Sequence, residues 1–134
     1  MEFGIMNNII YKKIYKFTDL VAWQEGHKLV LMIYSLIKQF PIDEKFGLAD
    51  QLKRAAVSVT SNIAEGFTKK SSKEKNQYYN RSVGSLTEIQ NQLIIGKDIG
   101  IVSQENYLRV TKQSLIVHKL LNGLIRSTRL KEYE

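Results

Sequence analysis

Apolar residues recur at alternating spacings of three and four in four successive stretches of this sequence, and that period constrains the fold more than any other feature. The first stretch runs through Trp23, Gly26, Leu29, Val30, Ile33, Leu36, Ile37 and Phe40, and the second through Leu48, Leu52, Ala55, Val59, Ile63 and Phe67. The third follows Tyr79, Val83, Leu86, Ile89 or Gln90, Leu93 and Ile99, and the fourth Tyr107, Val110, Ser114, Val117, Leu121 and Leu124. Such spacing gathers side chains into one stripe along each helix. A single proline, Pro41, and eight glycines supply little of the punctuation that a many-stranded protein needs. Four amphipathic helices joined by short connections bury their stripes only against one another. The expected fold is therefore all-α, an antiparallel up-down-up-down four-helix bundle in one domain. It should occupy 17–129, with a loose tail or extension over 1–16 and a C-terminal tail over 130–134.

Local signals set the expected boundaries. Thr18 and Asp19 can start the first helix and Pro41 should end it at Phe40. Asp43 and Glu44 suit the N-terminus of the second, and Gly66 is a plausible stop before a loop over 68–72. Ser72 can cap the third, although Lys75 stands where a capping box needs glutamate or glutamine. Gly84 and Gly96 each cost about 1 kcal/mol against alanine inside a helix, which suggests tight contacts there. Gly100 should end the third helix, and Ser103 with Asn106 should open the fourth. Ile9, Ile10 and Tyr11 favour a strand but have no obvious partner. Val21, Val57, Ile94, Ile95 and Ile116 fall off the seams and hint at a further interface.

The chemistry is that of binding. Twenty Lys and Arg against 13 Asp and Glu give a net charge of +7, which favours an anionic partner such as nucleic acid. The absence of cysteine excludes disulfides, thiolate metal sites and cysteine nucleophiles. His27 and His118 lack the spacing of a metal site, and no nucleotide-binding or nucleophile motif occurs. No catalytic residue, metal or cofactor is expected. No apolar run reaches the length of a membrane span and no signal peptide is evident, so the expected location is the cytoplasm, away from membranes. Trp23 reads as a core anchor.

The main basic cluster joins Lys53 and Arg54 on the second helix to Lys69, Lys70, Lys73 and Lys75 around the following loop, with Arg81 further on. Lysines beside a helix N-terminus suit phosphate, and Tyr78 and Tyr79 place rings nearby for base stacking or for the core. A second basic group, Arg109, Lys112, Lys119, Arg126, Arg129 and Lys131, does not share one stripe. On the second helix, Gln51, Arg54, Ser58, Ser61, Asn62 and Glu65 form a polar stripe of mostly short side chains. Ser58, Ser61, Asn62 and Glu65 are assigned to close packing between helices or subunits.

The wording of the chain from Phe17 to about Arg126 resembles the 23S rRNA intervening-sequence proteins, or S23 family. The marks are DLVAWQ (19–24), FPIDEKFGL (40–48), QLKRAAVSVTSNIAEG (51–66) and GSLTEIQNQL (84–93). The resemblance implies a four-helix bundle assembled as a homopentamer. It also implies kinship with the accessory variability determinant of diversity-generating retroelements, which binds nucleic acid through a basic surface. Thr60 stands where the family often has proline, so any kink there should be weaker. The expected function is non-catalytic binding of RNA or DNA by an oligomeric bundle, through Lys53, Arg54, Lys69, Lys70, Lys73, Lys75 and Arg81. The alternative is a scaffold whose partner is another protein.

Overall fold

The computed structural model describes residues 3–6, 9–44 and 47–131. Four helices, α1 (Val21–Ile37), α2 (Leu48–Thr68), α3 (Ser72–Asp98) and α4 (Gln104–Leu130), form the bundle. Their directions alternate, as the cross-links between them require. Gln113 Nε2 of α4 donates to the Glu25 carbonyl of α1 at 2.9 Å, whereas Asn106 lies beside Gln39 past the far end of α1. Asn76 Nδ2 near the start of α3 likewise donates to the Ile125 carbonyl near the end of α4 at 3.1 Å. Each helix packs on two neighbours, in the cycle α1–α2–α3–α4.

The stripes meet in the core as their spacing predicts. Leu29, Ile33, Leu52, Val59, Ile63, Leu86, Ile89, Leu93, Val110, Val117 and Leu121 are completely buried. Each large apolar side chain so buried contributes about 1.5–3 kcal/mol relative to exposure. Trp23 packs against this core from the side, edge-on to Phe17 and stacked on His27. The α2–α3 seam also carries buried polar groups. Ser82 Oγ donates to the Val59 carbonyl at 2.7 Å and Ser85 Oγ to Ser58 Oγ at 2.8 Å, so neither serine is buried without a partner.

Several boundaries differ from expectation. Thr18 and Asp19 belong to a 3₁₀ turn, Phe17–Asp19, where Asp19 Oδ2 accepts from the amides of Tyr15 and Lys16, so α1 starts at Val21 without a side-chain cap. Its end at Ile37 is followed by a tightened turn, with the Gln39 and Phe40 amides bonded three residues back. Glu44 Oε2 accepts from the Leu48 amide at the start of α2. Gly66 is not a stop: α2 continues to Thr68 and runs unbroken through Thr60. Ile99 is exposed rather than in the third stripe, because the backbone leaves the helix there. Val102, 3% exposed, fills the space instead. Of the two interior glycines, Gly96 abuts Val102 while Gly84 has open space beside it. Gly100 closes α3 with φ +83°, a conformation that glycine adopts at no steric cost.

The cap of α3 is Ser71, one residue earlier than expected. Its Oγ accepts from the Glu74 amide at 3.1 Å and lies 3.3 Å from Glu74 Oε1. Ser71 and Glu74 have the Ser-x-x-Glu spacing of a capping box, which Ser72 lacks. Ser71→Ala is therefore expected to cost about 0.5–2 kcal/mol in urea unfolding. Ser72→Ala should leave the midpoint almost unchanged, and the reverse order would move the cap back to Ser72.

The expected tail over 1–16 contains a two-stranded antiparallel hairpin, β1 (Phe3–Met6) with β2 (Ile9–Lys12), in which Ile5 pairs with Ile10. The strand partner that the sequence did not reveal is thus FGIM, too short and glycine-containing to stand out. The last residues of the expected C-terminal tail, 132–134, lie outside the described residues, as do 1, 2, 7 and 8 of the N-terminal one.

Candidate nucleic-acid interface

Alternating helix directions bring the end of α2, the start of α3 and the end of α4 to one end of the bundle. Most of the candidate cations collect there. The connection between α2 and α3 is only three residues long, Lys69 to Ser71. It sets Lys70, and Lys73 just beyond it, on the surface. Lys69 is half-buried, with its ammonium 5.1 Å from the centre of the Tyr78 ring, and the Arg81 guanidinium lies 4.6 Å from the same ring. Contacts of this kind contribute about 0.5–1 kcal/mol at exposed sites. They position both cations, and they also engage the one ring of the pair that could have stacked on a base. Tyr79 is in the core.

Ion pairs among the described residues join Lys28 to Glu25, Arg54 to Asp50 and Lys97 to Asp98. Lys69, Lys70, Lys73 and Arg81 are in none of them, so their charge stays open to an outside anion. Lys75 is different. Its Nζ turns inward and donates to the Phe67 carbonyl at 2.7 Å, closing one of the free carbonyls at the end of α2, and it sits 5.2 Å from the Phe67 ring centre. Burial, and secondarily the positive charge of Lys131, hold this ammonium below the usual lysine range.

Lys53 and Arg54 are not part of this cluster. At 1.5 Å per residue, α2 rises about 22 Å between Arg54 and Lys69. Lys53 lies against the Tyr34 ring at 5.6 Å, and Arg54 Nε pairs with Asp50 Oδ2 at 3.0 Å on the surface, a bridge of small energetic weight. The helical spacing of 54, 58, 61 and 65 puts the short polar stripe between the two basic groups. Within that stripe Ser58 bonds to Ser85 of α3, and Asn62 Nδ2 bonds back to the Ser58 carbonyl at 2.8 Å, while Ser61 and Glu65 are exposed.

The sequence grouping missed Lys131. Placed by its neighbours with Arg109, Lys112, Lys119, Arg126 and Arg129, it instead shares a cleft of about 310 Å³ with Lys70 and Lys75. Helix alternation was the signal that could have found it. The opposite face of α4 exposes Leu108, Leu115 and Ile116, and α3 exposes Ile94 and Ile95. His118 Nδ1 lies 3.5 Å from Gln90 Nε2. Among the described residues no group of three or more His, Cys, Asp or Glu could hold a metal, and no helix is long and apolar enough to cross a membrane.

A small antiparallel helical bundle with a basic end is the class of protein that this fold and surface define. The family model described as 23S rRNA-intervening sequence protein matches residues 18–123, and the chain belongs to that family. The fold is similar to the crystal structure of a protein of unknown function from the S23 ribosomal protein family of Bacteroides thetaiotaomicron VPI-5482. The TM-score is 0.73 at 22% identity, over 78% of this chain and 98% of that one. No curated protein matches the sequence. The matched range ends within α4, before Lys131.

Proposed function

We propose that this chain is a non-catalytic, cytoplasmic helical-bundle protein that binds RNA or DNA through phosphate contacts at the α2–α3 end, and that it works as a homo-oligomer. The observation that carries this reading is the set Lys69, Lys70, Lys73 and Arg81: four cations on one corner, none in an ion pair among the described residues. Uncompensated charge of this kind attracts a polyanion and releases its counterions on contact. The corner is the primary contact, and Lys53 and Arg54 engage only a strand that runs on along α2. The pentamer implied by the family resemblance would repeat the corner around a ring and multiply weak contacts by avidity.

Salt dependence tests it. With three or four phosphate contacts on duplex DNA, affinity should fall roughly 40- to 150-fold between 50 and 200 mM salt. The triple exchange of Lys69, Lys70 and Lys73 to glutamate should remove most of the binding and flatten the slope, in fluorescence anisotropy on labelled duplex and single strands. Affinity indifferent to salt, or to the exchange, would sink the reading. Light scattering on the same sample gives the oligomeric state.

A second reading, a scaffold for another protein, draws on the exposed apolar residues Leu108, Leu115 and Ile116 of α4. A co-purifying protein that survives nuclease treatment and is lost when Leu115 becomes aspartate would favour it.

A further inference from the structure

The cleft at the basic end has a composition that surface charge alone does not use. Three lysines border it from three separate elements: Lys70 from the α2–α3 connection, Lys75 from α3 and Lys131 from just beyond α4. No carboxylate is among its described lining residues. Its other walls are largely apolar, formed by Ile14, Leu20, Phe67, Leu124 and Tyr79, together with Ser72 and Thr128.

We infer that this cleft is a binding site for a phosphate monoester of nucleotide size, with the phosphate between Lys70, Lys75 and Lys131 and the attached organic group against Phe67 and Leu124. Four features lead there. Like charges brought together at a partly dry surface repel, and a dianion between them converts repulsion into charge-assisted hydrogen bonds. The basicity of Lys75 is depressed first by burial and secondarily by Lys131, and the second of these is that repulsion. Lys75 spends one N–H on the Phe67 carbonyl, so two of its three donors remain for a ligand, already oriented by that bond. The volume of about 310 Å³ stands at the lower limit of small-molecule sites, roughly 300–1,000 Å³, enough for one nucleotide and too small for a folded strand. The apolar walls suit the face of a base or another flat group and carry no pattern for reading its edge.

The same chemistry is present in a free mononucleotide and in the phosphorylated 5′ end of a strand. The second source rests on the nucleic-acid reading above and the first does not. Calorimetric titration of the full chain with AMP, with adenosine, and with a short oligonucleotide bearing either a 5′-phosphate or a 5′-hydroxyl separates them. AMP should bind and adenosine should not, or the phosphorylated strand should bind more tightly than its hydroxyl twin. Either result supports the site and identifies its source. Lys131→Met, at an exposed position beyond the last helix, should weaken the phosphate-dependent binding roughly 10- to 100-fold while leaving the helical circular dichroism unchanged. Absence of both phosphate effects, or indifference to Lys131→Met, overturns the proposal. If both phosphate effects are absent while the 5′-hydroxyl strand still binds in a salt-dependent way, the surface reading stands and only the cleft falls.

Discussion

Tyr79→Ala is expected to lower the free energy of unfolding by about 3–5 kcal/mol, a loss comparable to the entire stability of many small domains. Tyr79 is 2% exposed and is among the largest of the fully buried side chains. Its ring closes the core where α3 begins and lies against Gly66 of α2, so truncation leaves a cavity that the rigid helix backbones cannot collapse to fill. Urea unfolding at neutral pH should show the shift in midpoint. Tyr79→Phe should stay close to the parent under the same conditions, since it keeps the ring.

The two proteins should part in alkali. Burial pushes the Tyr79 phenol up to about 12 from its usual value of 10.0. Between these values the unfolded chain has released the proton while the folded chain still holds it, so stability present below pH 10 is lost as the pH rises through 12. Tyr79→Phe has no such proton to lose. Allowing for partial screening by solvent, its stability relative to the parent should therefore rise by about 1–2 kcal/mol from about pH 9 to pH 12. Parallel pH profiles would show that the phenol is not held neutral by burial.

Gly66→Ala and Gly84→Ala are expected to have opposite signs. Both glycines lie inside helices, where alanine is intrinsically better by about 1 kcal/mol. At Gly66 the added methyl would come within 2.8 Å of Tyr79 Cε1 and 3.0 Å of Tyr78 Cβ. Neither atom is the free end of a flexible side chain, so α2 and α3 must separate along their most extensive contact. Overpacking of this kind costs about 1–3 kcal/mol and should outweigh the gain in propensity. At Gly84, which is exposed, an added methyl would meet nothing within 4 Å, so alanine there should stabilise by about 0.5–1 kcal/mol. Paired thermal or urea melts decide the matter: the same sign at both positions would remove the close-approach explanation.

Position by position, the bundle was legible because a helix exposes its period in the sequence. Leu29, Ile33, Leu52, Val59, Ile63, Leu86, Leu93, Val110 and Leu121 all reach the core from their spacing alone. Ser103 was legible for a similar reason: its Oγ accepts from the Asn106 amide three residues on, a bond made within one turn. The Ser71–Glu74 pair carries an equally local signal, which the second serine beside it obscures. Gly66 could not be read correctly, because a helix stop and a close approach use the same residue and differ only in what lies opposite. Ser82 and Ser85 look like surface residues until the Val59 carbonyl and Ser58 Oγ of α2 are brought within 2.8 Å of them.

The candidate site divides along the same line. Lys69, Lys70 and Lys73 are close in space because they are close in sequence, and the chain by itself determined that corner, together with its charge and the bundle that carries it. Neighbourhood along a helix also suggested that Lys53 and Arg54 belong with them, but about 22 Å of helix axis separates the two groups. Only the tertiary structure turned Lys75 inward onto the Phe67 carbonyl and brought Lys131 to the cleft beside it. The physical reason is range. Period, caps and turns are set within a few residues, whereas the company a charge keeps depends on which helix ends the packing brings together.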